Sequence, residues 1–148
     1  MIFSQELLFS DHQAITITDT SDNTIDLGTT GTALKGPSPL VRDIGKGKPV
    51  PILVQVTEDF ANLTSLTITL EVDSDVNFGS AKTVYSSGAI PVADLVAGYK
   101  LPIIYVPTGV DERYLRLNYT VGGSAANSGE ITAGIVLAVQ TNDTVAGA

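Results

Sequence analysis

The single histidine, His12, is the side chain best suited to acid–base work near neutral pH, and imidazole is also a common metal ligand. A general base needs a nucleophile beside it, and a metal needs further ligands at set spacing. The surrounding Ser-Asp-His-Gln supplies neither, so His12 is expected to be a polar turn residue near the N-terminus. Asp73, Asp75 and Asn77, in DSDVNFGS, put oxygen ligands at alternate positions, like the opening of a calcium loop. Such a loop wants Gly at its sixth position and a bidentate Glu at its twelfth. Phe78 and Val84 stand there instead, so a solvated turn is expected, with weak calcium binding left open.

Two charged clusters remain. Arg42, Asp43, Lys46 and Lys48 lie in RDIGKGKP, where Gly45 and Gly47 would let successive amides face an anion. The strand–loop–helix setting of a phosphate loop is missing. As the main basic cluster of an acidic chain, Lys46 and Lys48 are expected to dock on an acidic patch of a partner. Asp111, Glu112, Arg113 and Arg116 form the second cluster. Neighbouring carboxylates in a turn diverge and seldom flank one scissile bond, so salt bridges within or between subunits are expected, not glycoside hydrolysis. Sequons begin at Asn62, Asn118 and Asn142, and Asn118 falls inside a strand pattern; no role is assigned to them.

Composition narrows the field further. The 148 residues suit one domain, 1–148, large enough to bury a core without disulfides or metals. The absence of cysteine excludes a disulfide scaffold, a thiolate zinc site and a thiol nucleophile. A net charge of −8 disfavours nucleic acid and anionic membranes as partners. Only 16% of residues are charged, against about 25–35% on a typical soluble surface, and Thr, Ser and Asn replace them. That surface suits extensive protein contacts. The start, MIFSQELLFSDHQ, lacks the basic leader and cleavage site of a secretory signal, so synthesis and residence in a cytoplasm are expected. No cofactor is expected.

The elements that must position these residues are strands. DERYLRLNYTV alternates strictly, with Leu115, Leu117, Tyr119 and Val121 on one face and Tyr114, Arg116, Asn118 and Thr120 on the other. Residues 66–72 alternate in the same way, and Ile52, Val54 and Val56 share a face. Further strands are expected over 14–18, 24–27, 83–86, 101–106 and 131–140, about eight in all. The last is apolar on both faces, which fits a central strand covered on both sides or one whose outer face meets another subunit. Residues 92–97 carry a single turn of helical pattern. The fold class expected is all-β, an antiparallel sandwich. Residues 1–12 are expected to form an N-terminal arm, because Ile2, Phe3, Leu7, Leu8 and Phe9 are more apolar than a free tail should expose.

The start MIFSQELLFSDHQAIT, the block RDIGKGKPVPILVQVTEDFANLTSLTITLEVDSD, and ADLVAGYKLPIIYVP with DERYLRLNYTVGG and GEITAGIVLAVQTN together resemble the capsid cement, or decoration, proteins of short-tailed bacteriophages. The likeness runs nearly end to end and is least distinctive over the first strand region and 28–37. It rests on segment order and transfers no residue-level motif. It implies a jelly-roll sandwich on the outer surface of an icosahedral virion, non-enzymatic, bound to the major capsid protein. It also implies a small homo-oligomer, with a dimer favoured over a trimer. Charge and exposure nominate Phe3, Leu7, Leu8, Phe9, Arg42, Lys46, Lys48, Asp111, Glu112, Arg113 and Arg116 for capsid or subunit contact. A carbohydrate-binding jelly-roll module and a phage tail or receptor-binding component are the alternatives.

Overall fold

The structure is a computed structural model, and it describes residues 3–31, 34–37, 49–102 and 104–138. Among these, seven strands form one antiparallel sheet, and the only helical pieces are short 3₁₀ turns at Gln5–Leu7 and Val92–Asp94. The strands are β1 (Leu8–Ala14), β2 (Asp19–Thr20), β3 (Ile25–Asp26), β4 (Val50–Asp73), β5 (Lys82–Pro91), β6 (Ile104–Val106) and β7 (Tyr114–Ile135). The all-β antiparallel expectation holds.

Two long strands organise everything else. β4 runs for 24 residues and β7 for 22, each joining two segments that the alternation separates. They pair in two halves. Residues 52–56 of β4 face 131–135 of β7, and 65–73 face 114–122. Between them the register shifts repeatedly as the ladder passes from Val56 to Ser65. Bulges bend strands and raise their twist, so a sheet too long to stay flat folds over here. The bend is tied by local hydrogen bonds. Asn62 Nδ2 donates to the Ala125 carbonyl at 2.8 Å, and Ser128 Oγ donates to the Asp59 carbonyl at 2.9 Å. Gly129 has φ +134°, and Phe60 lies directly over it.

Each half gathers its own short strands. β1 and β6 flank the half near Ile52 and Ile131, whereas β2, β3 and β5 flank the half near Leu70 and Leu117. Inward-facing residues of both halves belong to one core, including Phe9, Val54 and Ile131 from the first and Leu66, Leu70, Leu117 and Tyr119 from the second. A hydrogen bond spans it, since Ser10 Oγ lies 2.7 Å from Tyr119 Oη, both buried. A folded-over sheet of this kind is compatible with the expected sandwich.

Two local expectations change. Residues 8–14 pair with β7 instead of forming part of an arm, and 14–18 is mostly a turn that leads into β2. The reason lies in the bulges. Register shifts between Leu8 and Ser10, and again between Ser10 and Gln13, break the alternation and leave Leu8, Phe9 and Ser10 all buried, Phe9 in the core and Leu8 on the outer face. The polar members are satisfied by each other and by the chain at β2. Ser10 Oγ donates to Gln13 Oε1 at 2.6 Å, and Gln13 Nε2 donates to the Thr20 carbonyl at 2.8 Å.

The doubly apolar stretch near residue 131 is a central strand covered on both sides by its own chain. Leu8, Gly134 and Leu53 are side by side on the outer face of β1, β7 and β4. A Cβ on Gly134 would meet the Leu7 carbonyl and the Phe3 ring at 3.0 Å, so glycine is what lets the N-terminal segment lie flat there.

Candidate functional site

The two ends of the sheet differ in chemistry. At the end formed by Asp73, Lys82, Tyr114 and Asp26, the charged cluster read from the sequence is assembled, and its charges are paired inside the chain. Arg113 donates from Nε and Nη2 to the two carboxylate oxygens of Asp26, each at 2.7 Å, and its guanidinium stacks 4.8 Å from the Tyr114 ring. Arg116 donates from Nε to Glu71 at 2.9 Å and covers the Phe78 ring at 4.1 Å. Lys82 pairs with Glu112. Glu112 is held between strands, while Asp111 is exposed. The paired Asp26 raises the Arg113 pKa, and Glu112 raises that of Lys82. These pairs bind β3, β4, β5 and β7 to one another, so Arg113, Arg116 and Glu112 are engaged in holding the sheet end together.

The calcium-like loop is likewise closed on itself. Asp73 Oδ1 accepts the Asp75 amide at 3.0 Å and Oδ2 accepts the Ser80 amide at 2.8 Å. Those backbone donors, the Asp75 amide first, hold the Asp73 carboxyl below its usual range. Asp75 Oδ1 in turn accepts the Asn77 amide. Among the described residues no group of three or more His, Asp or Glu side chains could hold a metal. His12 sits on a β1 bulge at φ +50°, with Nδ1 3.3 Å from Glu130 on an exposed face. The His12 amide donates to Thr132 Oγ1 at 3.1 Å, which ties the bulge to β7.

The other end is apolar and open. Phe3, Ser4 and Leu7 form one wall of a groove of about 590 Å³; Pro49, Val50 and Pro51 enter β4 along it, and Ile135, Val136 and Leu137 leave β7 there. Among the described residues its lining holds no ionisable side chain. Leu137 stands fully exposed at 104%, and Leu7 is 37% exposed. Tyr105, exposed on β6, pairs across from Pro51 and extends the same surface.

Of the nominated contact residues, Phe3 and Leu7 line this groove. Leu8 and Phe9 do not, for Phe9 is fully buried in the core and Leu8 packs under the N-terminal turn. Arg42, Lys46 and Lys48 lie outside the described residues. Sequence reasoning missed the opposite walls. The usable signal was the run over 131–139, apolar on both faces, which contains Ile135, Val136 and Leu137.

The fold and this groove define an all-β protein of one bent antiparallel sheet whose described concave end is apolar. The chain belongs to the Bbp16 family, whose family model matches residues 9–139. No curated protein matches it. Among the described residues no helix is long and apolar enough to cross a membrane.

Proposed function

We propose that this protein is a non-enzymatic structural component of a virion, bound to the outer surface of an icosahedral phage capsid, where it cements neighbouring capsomers against internal DNA pressure. The observation that carries the reading is the uncharged groove of Phe3, Leu7, Val50, Pro51, Val136 and Leu137, an open apolar surface of the kind that marks protein contact. The end-to-end resemblance to cement proteins and the sparse surface charge support it. The partners are the major capsid protein and further copies of the chain, a two-fold dimer first.

The mechanism is mass action. A protein that bridges neighbouring subunits adds binding energy only to the assembled lattice, so it stabilises that state. Single contacts of micromolar strength, about 8 kcal/mol each, become strong when an oligomer engages several sites at once. The glycan-binding alternative draws no support from the calcium-like loop, where Asp73 and Asp75 accept amides of their own turn.

The test is co-sedimentation of the purified protein with mature DNA-filled shells and with empty precursor shells. Saturable binding that raises the heat resistance of mature shells supports the proposal; failure to bind either shell refutes it. Removing residues 1–10 would also remove core residues, so the groove is probed by Phe3→Ser with Leu7→Ser. Lys46→Glu with Lys48→Glu tests the basic loop, and unchanged occupancy would leave that loop without a docking role.

A further inference from the structure

We infer that residues 3–14 form a strap that opens from the sheet as one cooperative unit, held shut by a buried polar latch of Ser10, Gln13 and Tyr119. Among the described strands β1 ends the sheet order, pairing with β7, and its other side carries the Asn23 amide on the Phe9 carbonyl. Its ladder is short and broken by two register shifts, and His12 between them occupies the left-handed region that L-residues disfavour. Segments with interrupted pairing at the end of a sheet are drawn from the low-stability end of a fold. Opening must withdraw Phe9 from the core, where it is fully buried, and two further features oppose it. One is the seat at Gly134, where the missing Cβ admits Phe3, the Leu7 carbonyl and Leu8. The other is the latch.

The latch has a definite proton order. Ser10 Oγ donates to Gln13 Oε1, so the Tyr119 hydroxyl donates to Ser10 Oγ. Gln13 Oε1 also accepts the Asp22 amide at 3.0 Å, and Gln13 Nε2 donates to the Thr20 carbonyl. One buried network therefore ties β1 to the segment at β2 and to the opposite half of β7. Partly satisfied buried networks are costly, so its members release together. The strap also makes one wall of the groove through Phe3, Ser4 and Leu7. The groove exists only when the strap is shut, and anything that fills it must slow the opening by mass action.

Native-state hydrogen exchange on the full chain in low urea tests this without any shell, and so independently of the capsid reading. The reporters are the His12 amide on Thr132 Oγ1 at 3.1 Å and the Asn23 amide on the Phe9 carbonyl at 2.9 Å. The references are the Leu101 amide on the Val54 carbonyl and the Phe60 amide on the Leu95 carbonyl, both at 3.0 Å. The expected result is about a hundredfold less protection at the reporters, with a shallower urea dependence, because the opening exposes less surface than global unfolding. Tyr119→Phe, which removes one neutral hydrogen bond, should speed reporter exchange about fivefold. Arg116→Met weakens an ion pair that survives strap opening, so it should speed the references and leave the reporters unchanged. Reporters and references that share one urea slope, or that accelerate together in Arg116→Met, would overturn the strap. Unchanged reporters in Tyr119→Phe would overturn the latch.

Discussion

The bend between the two halves of the sheet depends on Gly129, and Gly129→Ala tests that dependence. A Cβ there would lie 2.3 Å from Phe60 Cδ1 and 2.4 Å from Cγ, against ordinary carbon contacts of about 3.5–4.0 Å. The ring must therefore shift by more than an ångström, yet Phe60 is buried in the core. Overpacking of this kind costs about 1–3 kcal/mol. The backbone adds to it, since φ +134° is a region an L-residue occupies only with strain of about 1–3 kcal/mol. A total near 3 kcal/mol would lower the Tm of a chain this size by about 6–12 °C. Urea unfolding of Gly129→Ala, Phe60→Ala and the double variant separates the two parts, with trimethylamine oxide present to keep the double variant folded. Removing the ring should relieve the clash, so the alanine at 129 should cost only its backbone share, with a coupling of about 1–3 kcal/mol. A cost below about 1 kcal/mol, or the same cost in both backgrounds, would refute the account of the bend.

Arg116→Met should cost about 1–3 kcal/mol in urea unfolding, because it strips the part-buried Glu71 of its charged donor and removes the guanidinium from Phe78. Asp73 has a depressed folded pKa, so its contribution is present above its ordinary range near pH 4 and is lost as pH falls through the folded value. Asp73→Asn should flatten that acid limb in urea midpoints measured between pH 5 and 2. Tyr119, buried, and Lys82, beside Glu112, have raised folded pKa values, so their contributions are complete below about pH 10 and fade as pH rises. Tyr119→Phe should shift the alkaline unfolding limb upward in pH, as followed by circular dichroism. Phe3→Ser with Leu7→Ser should lower shell occupancy about tenfold or more while changing the urea midpoint little, since both side chains line an open surface.

Alternation made the straight parts of the sheet legible. Residues 66–72 and 114–121 obey it because each lies in a regular ladder with one face on the core. The joins were hidden for the same physical reason. Across 57–64 the sequence TEDFANLT has charges and no two-residue period, which resembles a loop, yet bulges keep the chain hydrogen-bonded while the faces exchange. β1 was hidden because its inward residues include Ser10 and Gln13. A buried polar side chain reads as a surface one until its partners are known, and Tyr119 is 109 residues away from Ser10. Arg113 and Arg116 were read correctly as salt-bridge formers, but Asp26 and Glu71 lie 87 and 45 residues from them, so their partners could not be read from spacing.

The contrast between the two sheet ends narrows where a partner would bind. Charged side chains at a sheet end offer contact only if their charges are unspent. Arg113, Arg116, Lys82 and Glu112 already have partners, and a newcomer would have to break one pair to gain another. The exchange returns little, because a carboxylate left behind half-buried carries its own desolvation cost. The apolar end imposes no such exchange. Water leaves Leu137, Leu7 and Phe3 at a net gain of about 25 cal/mol for each Å² covered, with no polar partner displaced. Because one wall of that end belongs to the strap, a bound partner would also hold β1 shut. Shell binding and the slowing of strap exchange should then rise together over one titration. Shell binding that leaves the His12 and Asn23 amides as fast as before would assign the contact to another surface.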